Sequence, residues 1–275
     1  MKTTTKSVLL TGLLVSTFGM MSAAQAAQAA DAAVTAPAAA AASPHTFTSN
    51  IGFFTDYVFR GVSYGRERGS VQGGFDYTHA SGLYAGVWAT NVNKNALYGN
   101  TVELDLYGGY IHQFTPDLGI NVGFLQFYYP DNNKAYGTGG SANTTELNAA
   151  ATYKWLTLKH SYAVTNFFGL NAAVGASGST RGSGYTELNF NYKLPVQDIN
   201  LALHVGHQRV ENYNALNYTD YLIGFNKDFA IASSTGWNGG VNFTTTTADD
   251  TLYVDATGGY KTADSKVIGF IKRTF

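Results

Sequence analysis

Thirteen ionisable residues are each placed on the polar side of a stretch whose other side is apolar. Eight are acids: Asp56, Asp76, Glu103, Asp105, Glu146, Glu187, Asp220 and Asp228. Five are bases: Arg60, Lys154, Lys159, Lys193 and Lys272. Groups of this kind facing one another across a confined space can pair or attract ions of opposite sign. Glu103 and Asp105 are one pleat apart on one strand face, too close to ionise independently where water is scarce. They form a cation-attracting patch, or they pair with lysines such as Lys154 or Lys159. Asp56 and Arg60 share a parity and, on a strand, sit about 13 Å apart, beyond direct pairing. Arg60 then either pairs with an acid of a neighbouring strand or attracts anions at one end of the fold.

Catalytic arrangements are poorly supported. His204 and His207 have opposite parity and cannot share a site within one strand. His160 and Ser161 are adjacent and so face opposite sides, while His79 and His112 fall near strand ends. With no cysteine there is neither a disulfide framework nor a thiolate metal site. No phosphate-cradling glycine motif or metal-ligand spacing stands out. The expectation is a protein that is not an enzyme and needs no cofactor or metal.

The elements that hold these residues are strands. In 102–114, Val102, Leu104, Leu106 and Tyr110 alternate with Glu103, Asp105 and Tyr107. The pattern recurs in 144–155, where Leu147, Ala149, Ala151, Tyr153 and Trp155 oppose Glu146, Asn148, Thr152 and Lys154. It recurs again in 185–193, where Leu188, Phe190 and Tyr192 oppose Glu187, Asn189, Asn191 and Lys193. Successive side chains point to opposite faces of a strand, so each stretch has one apolar and one polar face. Only 83–92 is ambiguous, being apolar or small on both faces.

Twelve segments of this kind are expected, near 48–62, 70–79, 83–92, 101–114, 119–129, 144–154, 156–166, 184–194, 199–210, 218–229, 237–247 and 265–275. Most are about ten residues, the length a tilted strand needs to cross hydrocarbon. Connections alternate between short, at 80–82, 115–118, 155, 195–198 and 230–235, and long, at 93–100, 130–143, 167–183, 211–217 and 247–264. An up-and-down barrel puts odd and even connections at opposite ends, and outer-membrane barrels carry short turns at one end and longer loops at the other. A soluble sandwich, the competing fold, has no reason to sort loop lengths by parity. The expected fold is therefore all-β: a closed, antiparallel, up-and-down transmembrane barrel of about twelve strands. Aromatic residues near strand ends on the apolar parity, including Phe53, Phe59, Tyr77, Phe114, Tyr128, Tyr153, Trp155, Tyr192 and Phe229, suit girdles at the two membrane interfaces.

Residues 1–26 read as a secretory signal: Lys2 and Lys6, an apolar run shorter than the ~20 residues of a bilayer-crossing helix, then small residues around Ala24 and Ala26. Residues 27–47 are an alanine-rich leader with no apolar face to bury, expected to be disordered, and 48–275 form the barrel. Loss of the two lysines shifts the net charge from −1 to −3, leaving no electrostatic reason for a nucleic-acid partner. The chain ends on Phe275, with Ile271 and Val267 on the same parity, which resembles the terminal aromatic read by outer-membrane assembly machinery; Arg273 departs from that pattern.

Particular stretches resemble the TorF family of proteobacterial porin-like proteins. They are N-I-G-F-F-T-D-Y-V-F-R-G-V-S at 50–63, S-G-L-Y-A-G-V-W-A-T-N-V at 81–92, E-L-D-L-Y-G-G-Y at 103–110, and 128–130. They occur in the family's order; the resemblance spans 49–275 and is strongest in its first third. It implies an outer-membrane channel and brings no catalytic or binding residues.

The thirteen ionisable residues are thus expected to line a lumen. Eight strands are filled by side chains and sixteen leave an aqueous channel, so twelve permits either a narrow polar pore or one plugged by paired charges. The expected function is passive diffusion of small hydrophilic solutes or ions across a bacterial outer membrane, with slight cation preference from the acid excess. A non-conducting structural or surface-interaction barrel is the alternative. The expected partners are the lipid bilayer, the assembly machinery through Phe275, and the solutes.

Overall fold

A computed structural model describes residues 43–130 and 141–275. The expected signal peptide, most of the alanine-rich leader and the centre of the 130–143 loop lie outside the described residues. Twelve strands close a barrel: β1 (His45–Phe54), β4 (Ser70–His79), β5 (Leu83–Asn91), β6 (Val102–Gln113), β7 (Leu118–Tyr128), β8 (Thr144–Tyr153), β9 (Leu156–Ala163), β10 (Gly184–Lys193), β11 (Asn200–Arg209), β12 (Tyr218–Ile231), β13 (Ser234–Thr246) and β14 (Lys266–Thr274). Two further short strands, β2 (Val58–Phe59) and β3 (Val62–Ser63), pair only with each other. Each barrel strand is antiparallel to its sequence neighbour, and β1 closes the ring by pairing with both β4 and β14. Closure leaves no unpaired sheet edge, which hydrocarbon could not satisfy.

Alternation decides which side of each strand faces out. On β6, Val102, Leu106 and Tyr110 are exposed, whereas Glu103, Asp105 and Tyr107 are buried. The same outward apolar set continues with Ile120, Val122 and Phe124 on β7, Leu188 on β10 and Ile223 and Phe225 on β12. An apolar belt of this extent around a closed barrel is a surface made for lipid. The ambiguous segment resolves too: on β5, Leu83 faces out and Trp88 is buried inside.

The first segment departs from expectation. It begins at His45 and stops as a barrel strand at Phe54, rather than running over 48–62. The chain then turns inward as the β2–β3 hairpin, whose two-residue turn is Arg60–Gly61, with φ of 47° and 78°. Two central residues in the left-handed region make the tight turn whose twist matches flanking strands. Phe59, expected in an interfacial girdle, is consequently buried inside the barrel against Phe127 and Phe168. Parity counting fails here because the strand ends before Asp56.

Candidate functional site

The hairpin crosses the long-loop half of the barrel interior. Its first contact is Tyr57, fully buried, whose ring meets Trp88 of β5 and whose hydroxyl donates to Glu103 of β6. Tyr129, just past β7, donates to the other oxygen of Glu103 at 2.7 Å. Its tip reaches the opposite wall. Arg60 Nη2 donates to Glu146 Oε2 on β8 at 2.7 Å, and Nη1 donates to Glu146 Oε1 at 3.0 Å. Nη1 also donates to Gln208 Oε1 on β11 at 2.9 Å. This is a two-pronged guanidinium–carboxylate pair, with side chains only 6% and 3% exposed. The guanidinium is also stacked between the rings of Phe59, at 4.5 Å, and Tyr185 of β10, at 4.2 Å.

The surroundings fix this geometry. Gln208 Nε2 donates to the carbonyls of Gly184 and Arg209, so its Oε1 is left to face Arg60. Tyr185 donates to Asp220 Oδ1 at 2.8 Å, and Asp220 Oδ2 lies 2.9 Å from His204 Nε2. The tip itself must be glycine: a Cβ on Gly61 would lie 2.4 Å from Thr246 Cγ2 and 2.7 Å from Asp220 Cβ. Tyr185 lies equally close to the wall, where a Cβ on Gly206 would meet its hydroxyl at 1.9 Å. The hairpin base is tied down by Asp56, which accepts from Ser63 Oγ at 2.7 Å, and by Ser63 N donating to the Thr262 carbonyl. Arg66 pairs with Asp255 of the β13–β14 loop at 3.1 Å.

Two carboxyls at the base of the hairpin have displaced acidities. Burial pushes Asp56 up to about 6, with the Ser63 hydroxyl pulling the other way. At Asp255 burial also acts upward, but the Thr257 hydroxyl and the Arg66 guanidinium hold the carboxyl below its usual range.

The remaining ionisable residues fall into four groups. Glu187 pairs with Lys159 at 3.2 Å and lies 3.7 Å from His204. Asp76 accepts from Tyr107 at 2.5 Å, and Asp228 accepts from Asn238, which stands opposite Lys272 on β14. Asp105, fully buried beside Trp88 and Phe127 on neighbouring strands, has no hydrogen-bond partner at either oxygen among the described residues. Lys154 and Lys193 sit at the short-turn rim, 39% and 55% exposed, near Asp117 and Asp198. Glu103 and Asp105 therefore take neither Lys154 nor Lys159: one is capped by tyrosines and the other has no cation. Arg60 pairs across the interior, not with a strand beside its own.

Sequence reasoning passed over Tyr57, Tyr185 and Gln208, and weighed His204 only against His207. The signal that could have found the first is the Arg60–Gly61 pair between Val58–Phe59 and Val62–Ser63, a short hairpin pattern. Towards the short-turn end the inner face changes character, with Asn121, Asn191, Asn200, Asn226 and Asn238 lining it.

The barrel is similar to that of a solved "KdgM porin", at 9% identity over 83% of this chain and 99% of that one, with a TM-score of 0.50. The same holds for "KdgM porin in complex with disordered oligogalacturonate", at 8% identity over 84% and 99%, with a TM-score of 0.50. A NanC porin aligns over 84% and 99% of the two chains at 8% identity and a TM-score of 0.47. At these identities the likeness is one of fold, the closed barrel of small outer-membrane porins. No curated protein matches the chain by sequence. Residues 38–275 match the family described as "Bacterial protein of unknown function (Gcw_chp)", and the chain, with its barrel and inward hairpin, belongs to that family.

Proposed function

We propose that this protein is a porin-like outer-membrane channel for small hydrophilic solutes or ions, narrowed by the β2–β3 hairpin. The observation that carries the reading is the difference between the two barrel faces, apolar outside and, beside an aromatic cluster, rich in polar and charged groups inside. A wall that only had to be packed would have no need of acids on five of its twelve strands. The porin-like barrel and the resemblance to the TorF family support a place in the outer membrane.

The charge balance bears on the solute. Eight acids stand on the hairpin and inner wall against Arg60, Lys159, Lys266 and Lys272. The solved neighbour holds oligogalacturonate, a carboxylated sugar chain, whereas this interior favours neutral or positively charged solutes. Proteoliposomes test the conduit directly. Swelling in small sugars or amino acids, increased when residues 57–64 are replaced by a short glycine–serine link, supports it. Vesicles that stay impermeable with the shortened, folded barrel refute it.

One observation favours a second reading, a non-conducting structural barrel: Tyr57 and Phe59 are buried in a continuous aromatic cluster with Trp88 and Phe127. On that reading the shortened barrel would also be impermeable, and its long loops would carry the interaction.

A further inference from the structure

The hairpin tip presents a guanidinium to three side chains of the barrel wall. Glu146, Gln208 and Tyr185 belong to β8, β11 and β10, and the last two are held in place without Arg60's help. Gln208 is fixed by two backbone carbonyls, and Tyr185 by Asp220. Together they offer a carboxylate with both oxygens forward, an amide oxygen, and an aromatic face. That set matches a planar guanidinium: two parallel N–H donors to the carboxylate, a third contact to the amide, and the ring stacked on the cation. A spherical alkali ion would use neither the fork nor the face.

We propose that Glu146, Gln208 and Tyr185 form a binding site for solutes bearing a guanidinium group, and that Arg60 occupies it as a tethered ligand. This deepens the reading of the barrel as a conduit by naming a substrate class and the means of opening. With Arg60 withdrawn, Glu146 would be a buried carboxylate without a counterion, so the open state calls for a replacement cation. A free guanidinium compound satisfies the wall as Arg60 does and so competes with the hairpin. Sodium or a neutral isostere does not.

Chemical replacement of the tethered group tests this without any bilayer. Purified R60A in detergent micelles is titrated with methylguanidinium chloride, with methylurea and sodium chloride at matched concentrations as controls. The readout is the midpoint of thermal unfolding, followed by the heat-modifiable gel shift. Methylguanidinium should raise the R60A midpoint towards wild type, methylurea and sodium chloride should not, and the double variant R60A/E146Q should not respond. The proposal is overturned if R60A ignores methylguanidinium, if sodium chloride or methylurea works equally well, or if the double variant still responds. Should R60A not fold, R60Q takes its place in the same titration. A barrel that binds methylguanidinium yet leaves vesicles impermeable would refute the conduit and leave the site standing; the converse separates them equally.

Discussion

Arg60 is the residue on which the interior turns. Its partner Glu146 is 3% exposed, and losing one member of such a buried pair leaves the other charge uncompensated. E146Q keeps the shape of the site and removes its charge; it should lower the unfolding free energy by about 3–5 kcal/mol in a urea titration of the folded barrel. A loss below about 1 kcal/mol, typical of exposed pairs, would show the contact to be incidental. Asp56 carries a different prediction. Its carboxyl is pushed up to about 6, above its unfolded value, so its contribution to stability is full at low pH and is lost as pH rises through about 6. Wild-type stability should therefore fall from about pH 4 to about pH 7 relative to D56N, which lacks the titrating group. Parallel pH profiles would remove Asp56 from the account. At this scale the parity of the sequence sets Glu103, Asp105 and Glu146 on the polar faces of their strands. It could not give their partners, because those come from strands and a hairpin distant in sequence.

The β2–β3 hairpin is the element that departs from a plain barrel. Its Arg60–Gly61 turn needs the left-handed region twice, and its tip meets Thr246 and Asp220 where a Cβ would collide. G61A should therefore displace the tip while the twelve strands stay paired. The expected result is a protein that remains heat-modifiable on a gel but gives faster vesicle swelling than wild type; unchanged swelling would mean that the tip does not set the constriction. Strands elsewhere were legible because a buried inner face and a lipid-facing outer face impose period two on them, as β6 and β8 show. That regularity ends at Phe54. Reading 48–62 as one strand carried Phe59 to the lipid side, when the chain had already turned into the barrel.

For the whole molecule, ring closure and the count of twelve followed from loop lengths sorted by parity, a property that local packing does not disturb. What filled the ring was not legible, since an even alternation fits an open lumen and a plugged one alike. The lipid-facing assignment is testable away from the hairpin: F124R places a cation near midspan on the outer face of β7 and should cost about 2–4 kcal/mol of folding stability in a bilayer. The central claim is a polar, acid-rich conduit closed by its own hairpin. It is tested most directly in a planar bilayer, with residues 57–64 replaced by a short glycine–serine link and a potassium chloride gradient across the membrane. The account predicts steady conductance with a reversal potential of cation-selective sign. A folded, inserted barrel that stays silent, or one that selects anions, would contradict it.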